Sequence, residues 1–133
     1  MDLEAILLAD YAVLVEGKLN IQGGGINEVR APQFPWVHPQ LSLVVRFRLE
    51  PDEAPADHTL NVRVVAPDTH FVVPPTDISL SAGGVVLTGV DRFVQAVVSF
   101  APVPFSAPGT HRVEVALDGM PLRALAVDVS LQA

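Results

Sequence analysis

The stretch Glu16-Gly17-Lys18-Leu19-Asn20-Ile21-Gln22-Gly23-Gly24-Gly25-Ile26 sets a lysine beside four glycines, the residue types with which a loop cradles a phosphate. That chemistry needs two glycines bracketing four residues, then Lys and Ser or Thr, on a turn that opens into a helix whose first amides meet the phosphate. Here Lys18 precedes the triple glycine and Leu19 follows it, and the segment after Gly25 cannot sustain a helix past Pro32. The glycines read instead as backbone devices, a bulge or bend where the chain crosses between sheets.

Other residues could in principle do chemistry. The segment "EPDEAPADH" gathers Glu50, Asp52, Glu53, Asp57 and His58, oxygen and imidazole donors of the kind calcium or a transition metal takes. Its spacing matches no EF-hand and no glycine organises the turn, so a solvated connection between strands is the reading preferred, with no metal or other cofactor assigned. The histidines His38, His58, His70 and His111 stand 20, 12 and 41 residues apart, with no pair at ligand spacing. No G-x-S-x-G elbow surrounds Ser42, Ser79, Ser81, Ser99, Ser106 or Ser130, and no catalytic residue is assigned; the chain is not expected to be an enzyme. Asp10 and Tyr11 interrupt the apolar run "AILLADYAVLV". Asp10 is either a general base or, the reading preferred, a carboxylate tied to backbone amides or an arginine.

The segment "QFPWVHP" places Phe34, Trp36 and His38 among Pro32, Pro35 and Pro39. Aromatic side chains on a stiff loop can stack on a sugar or anchor a partner. They can equally cap the open end of a core, as large aromatics commonly do. Phe34, Trp36 and His38 are the candidate ligand or partner contacts.

The elements that would position these residues are strands. In "LSLVVRFRLE" the side chains of Leu41, Leu43, Val45, Phe47 and Leu49 share one face, and Ser42, Arg46, Arg48 and Glu50 the other, so a strand with one wet face is expected. The same alternation sets Leu60, Val62 and Val64 against Thr59, Asn61 and Arg63, and it recurs in "RFVQAVVSF", in "HRVEVALD" and from Leu125 to Leu131. Glu16-Gly17 and Asp118-Gly119 are tight hairpin turns, Pro67-Asp68-Thr69 is a third turn, and "SAPGT" leads into the penultimate strand. With 12 prolines and 9 glycines punctuating the chain, no window supports a helix of any length. About seven to nine strands with frequent turns predict one all-β domain over residues 1–133, an antiparallel β-sandwich of immunoglobulin-like kind.

Composition narrows the partners. Half of the residues are hydrophobic and 17% are charged, so the chain should bury a core and is not disordered. A formal charge of −7 opposes nucleic acid and anionic membrane as partners. Without cysteine, disulfides, thiolate metal sites and cysteine nucleophiles are excluded. The first residues lack the basic region of a signal peptide, and Asp10 breaks their apolar run well short of a membrane span; a cytoplasmic protein is expected.

Ala9-Asp10-Tyr11-Ala12, then Gly17-Lys18-Leu19-Asn20, then Gly23-Gly24 and a proline-bounded aromatic segment resemble a family of small uncharacterised bacterial proteins of unknown function. "APGTHRVEVALDG" is similar to the closing hairpin of many immunoglobulin-like sandwiches. The resemblance implies a bacterial β-sandwich and supplies no catalytic residue. A mean hydropathy of +0.40 suggests apolar surface covered by another chain. The function expected is a non-catalytic protein-interaction or assembly module, partnered by another protein or by itself; the alternative is a small-ligand or carbohydrate-binding sandwich using the aromatic loop.

Overall fold

The structure is a computed structural model and describes residues 1–82, 85–88 and 91–132. The strands in chain order are β1 (Asp2–Val15), β2 (Lys18–Gly24), β3 (Glu28–Ala31), β4 (Trp36–His38), β5 (Leu41–Leu49), β6 (His58–Val65), β7 (Phe71–Leu80), β8 (Val85–Thr88), β9 (Asp91–Phe100), β10 (Val103–Phe105), β11 (Gly109–Leu117) and β12 (Met120–Leu131). One sheet has the order β2-β1-β5-β9-β8, the other β3-β12-β11-β6-β7, and β10 and β4 form a separate ribbon. The expected sandwich is present, with more strands than periodicity alone marks. No α-helix occurs among the described residues, so none there is long and apolar enough to cross a membrane.

The core is made by the alternation read from the sequence. Leu8, Leu43, Val45, Phe47 and Val94 from the first sheet meet Leu60, Val62, Val64, Val113, Val115, Val127 and Val129 from the second, all in one apolar cluster. β-Branched valine suits these pleated inner faces, where its restricted χ1 costs least. Both two-residue turns form as expected: Glu16 and Gly17 have φ of 52° and 74°, Asp118 and Gly119 of 51° and 82°, the positive pair that a tight hairpin requires. The amide of Thr69 donates to Ala66 O at 2.9 Å, closing the third turn. Among the described residues all strand pairs are antiparallel except β12 with β3, which run parallel through Asp128↔Glu28 to Leu131↔Ala31.

One expectation is corrected. The outer face of β5 is not wet along its length: Ser42 is 0% and Val44 1% exposed. The cause is a fold-back of the first hairpin. β1 pairs with β5 only as far as Ala9↔Ser42, so residues 10–15 pair with β2 alone. Gln95 stands opposite Arg46, on the face away from the core, and its Nε2 donates to the turn carbonyl of Gly17 at 2.8 Å. The hairpin tip therefore lies across the outer face of β5 and β9. Beside it the Arg46 guanidinium lies 3.7 Å from the ring centroid of Phe93 and 3.5 Å from Glu4, so this cation is stacked and paired rather than solvated.

Candidate functional site

The aromatic segment is built into one end of the sandwich. β4 and β10 pair through Val103↔His38, Pro104↔Val37 and Phe105↔Trp36. Along this stretch Phe34, Trp36 and His38 are half-buried, while Pro35, Val37 and Pro39 are exposed, a period of two that continues through the prolines. Phe34 and Trp36 pack against the core cluster. Phe105, 1% exposed, lies edge-on to the buried His111 ring at 5.0 Å and 6.3 Å from the His38 ring. The structure thus brings Phe34, Trp36 and His38 together as the inward face of an end cap, which favours the capping role over an open stacking platform. Buried Trp36 Nε1 has no hydrogen-bond partner.

Burial pushes the His38 imidazole below its ordinary range; the nearby Asp10 charge and a hydrogen bond with the Gln40 backbone oppose the shift. A depressed histidine is held neutral by the fold, so the unfolded chain binds that proton more readily. The stability it contributes is fully present above about pH 6.5 and is lost as the pH falls through the folded value. Urea midpoints should therefore drop between pH 7 and pH 5, modestly because solvent screens this half-exposed group. His38→Gln should flatten that slope; an unchanged pH dependence in the variant would remove His38 as its source.

The acidic segment joins β5 to β6 and is tied into the structure by its backbone. Arg92 donates to the carbonyls of Glu50, Pro51 and Glu53 at 2.6, 3.2 and 2.8 Å. The Glu53 carboxylate accepts from the Glu50 amide at 3.1 Å and from the amino group of Met1 at 2.8 Å; that amine, first, holds its pKa below the usual range. Asp57 accepts from the Ala82 amide at 2.8 Å. His58 Nδ1 meets Asp118 Oδ2 at 2.6 Å, and Thr59 N donates to Asp118 Oδ1 at 2.9 Å, which fastens the β11–β12 turn to β6. These two bonds, the imidazole first, lower the Asp118 pKa. The donors that could have held a metal thus point to different partners, and no group of three metal-ligating side chains gathers among the described residues. His70 is bonded to Asp68 of its own turn.

Asp10 departs from the expected tether. Because β1 has run past β5, its carboxylate is exposed, and among the described residues it accepts no hydrogen bond from a backbone amide or an arginine. It lies instead over Gly23, where a Cβ would come 2.1 Å from Asp10 Oδ2. Gly23 has φ +61° and lies opposite Asp10 in the unbroken β1–β2 register, between Gly24 and Gln22, and the Gly25 and Ile26 amides then both donate to Leu8 O. The glycines serve the bend by which the chain leaves one sheet for the other, as their placement implied.

Local pattern marks the turn of the first hairpin but not how much apolar surface the hairpin leaves open. Tyr11 at 46%, Leu14 at 38%, Val15 at 49% and Ile21 at 38% exposure are half of the large apolar side chains open to solvent among the described residues. β2 is moreover the outer strand of its sheet. The available signal was "YAVLV", apolar on both faces immediately before a tight turn.

A model of a family of unknown function (DUF6941) matches residues 4–130, nearly the whole chain. The chain belongs to that family. The match spans the β1–β2 hairpin with Asp10 and Gly23, the end cap and both sheets, and it assigns DUF6941 no activity. A crystal structure of an immunoglobulin-like protein from Pseudomonas aeruginosa is similar at 17% identity over 96% of this chain and 94% of that one, with a TM-score of 0.41. The comparison with curated proteins finds no match.

Proposed function

We propose that this protein is a non-catalytic assembly module that associates with a second copy of itself through the β1–β2 hairpin. The observation that carries this reading is the coincidence of exposed apolar side chains on both faces of this hairpin, Tyr11 and Val15 on one and Leu14 and Ile21 on the other, with an edge strand that lacks most of the usual obstructions. Natural edges are blunted by proline, charge, shortness or bulges. Edge β7 contains Pro74 and Pro75, β3 is 4 residues long and carries Glu28 and Arg30, and β8 is also 4 residues long. β2 has 7 residues, no proline before the Gly23 bend, and Lys18 as its one charge.

Its geometry is self-complementary. A two-residue turn makes Val15 and Lys18 the hydrogen-bonded pair, so alternate residues Leu19, Ile21 and Gly23 direct their backbone groups outward. Antiparallel pairing about a two-fold axis at Ile21 would set Leu19 opposite Gly23 and use all three. No carboxylate lies on β2, which lets two copies of an acidic chain meet there despite the formal charge of −7. The pairing surface is small, so a weak dimer is expected.

Sedimentation velocity should show the weight-average mass rising from monomer towards dimer with concentration, and Ile21→Lys should restore the monomer. A monomer at all concentrations overturns self-association. A dimer unaffected by Ile21→Lys moves the interface away from this edge.

A further inference from the structure

We propose that the bare edge of β9 takes up an extended peptide segment of a partner protein, uncharged at its centre and basic at its ends, as an added strand. This inference is independent of the hairpin reading, since it concerns the opposite side of the first sheet. β9 pairs with β5 from Leu49↔Arg92 to Leu41↔Phe100. On its other side β8 covers it only from Thr88↔Asp91 to Val85↔Val94. From Ala96 to Phe100 that side carries no ladder among the described residues. A row of unpaired N–H and C=O groups is a template for another strand.

Side-chain burial marks the same gap. Val94, opposite Val85 of β8, is buried, whereas Ala96 and Val98, which follow it on the core-facing side opposite Val45 and Leu43, are only half-buried. In the second sheet Val73 and Ile78 stand opposite the core residues Val64 and Leu60, so they too face inward, and they are half-buried as well. Val73, Ile78 and Val98 line one hollow of about 320 Å3, together with Phe100 and Pro102. That volume is at the small end of pockets and suits side chains of valine size. The β7 wall of the hollow is the poorer template, because Pro74 and Pro75 lack amide donors.

Backbone alternation determines which groups are offered. Thr88 and Asp91 are register partners separated by two residues, which makes them a hydrogen-bonded pair, so Asp91 and Phe93 direct their amides towards β8. By the same alternation Val97 and Ser99 direct theirs to the bare side, while Ala96, Val98 and Phe100 bond to β5. A strand laid there bonds to Val97 and Ser99 and sends alternate side chains into the hollow. None of the described residues lining the hollow is charged, which calls for an uncharged centre. Asp77 stands between Thr76 and Ile78 of the lining, in a chain of net charge −7, and both favour basic residues at the ends.

The probe is a capped hexapeptide of alternating valine and threonine between terminal lysines, added to the isotopically labelled protein. In the free protein the Val97 and Ser99 amides should exchange with deuterium faster than those of Ala96 and Val98. The peptide should slow Val97 and Ser99 by about tenfold or more and give saturable amide shifts concentrated at residues 72–78 and 96–102. N-methylation of its valines should weaken binding by about tenfold, and glutamates in place of the lysines by about threefold at low salt. Val97→Pro, which removes an outward donor and no bond to β5, should weaken it by about tenfold. Absence of saturable shifts overturns the proposal, as does an N-methylated peptide that binds as tightly or an edge already protected in the free protein. Equal binding of the glutamate-ended peptide overturns the basic ends. Protection that grows with protein concentration alone gives the edge to a second copy and overturns the foreign strand. The peptide arms use the unsubstituted protein, so the result stands even where Val97→Pro fails to fold.

Discussion

Phe105→Ala is expected to lower the free energy of unfolding by about 3–5 kcal/mol, read as a shift in the urea midpoint. The side chain is 1% exposed on β10, a strand of three residues that pairs only with β4. Truncation would leave a void between the cap and the core, and the short ribbon has few other contacts through which to close it. It would also remove the edge-on contact with His111, 5.0 Å between centroids, of a kind worth about 0.5–1.5 kcal/mol beyond burial. Val37→Ala, one register position away but 54% exposed, should change stability by less than about 0.5 kcal/mol. A loss below about 1 kcal/mol for Phe105→Ala would mean that the ribbon is not seated on the core as described. Phe105→Leu keeps most of the volume and should fall between the two.

That contrast shows why the aromatic segment was hard to read. Alternation through Phe34, Trp36 and His38 is present in the sequence, but Pro35 and Pro39 sit at the intervening positions and argue against a strand, since each lacks a backbone donor. A two-stranded ribbon needs few ladder bonds and tolerates them, with Val37 and Pro104 facing each other. The long strands were legible for the opposite reason. In β5, β6, β11 and β12 the inward residues are fixed by a local period of two, and Glu16-Gly17 and Asp118-Gly119 carry the turn geometry in two residues each.

What the sequence left unread is non-local. The burial of Ser42 and Val44 depends on a hairpin that begins some thirty residues earlier and is anchored by Gln95 on a strand still further on. Nothing within β5 encodes that cover. The parallel pairing of β3 with β12 joins residues about a hundred positions apart and is equally silent in local pattern.

The Asp10–Gly23 contact is where local sequence and distant geometry meet, and it yields the second large effect. Gly23→Ala is expected to cost about 2–3 kcal/mol, from two separable sources. The first is conformational: at φ +61° an alanine carries about 1–2 kcal/mol of left-handed strain that glycine escapes. The second is steric, because the new methyl would sit 2.1 Å from Asp10 Oδ2, 2.8 Å from Cγ and 3.1 Å from Cβ; rotating the side chain about χ1 moves the first two away but leaves the Cβ contact. The two parts separate in a double-mutant cycle with Asp10→Ala, which deletes the carboxylate and leaves the backbone angle. Gly23→Ala should cost less in the Asp10→Ala background than in the unsubstituted protein, with the strain remaining. Gly23→Asn, which tolerates the left-handed region but keeps the Cβ, should be rescued more completely by the same partner change. Additive losses would show that Asp10 does not rest on Gly23. Coupling would identify Ala9-Asp10-Tyr11-Ala12 and Gly23-Gly24 as the two halves of one bend that folds the hairpin back over β5.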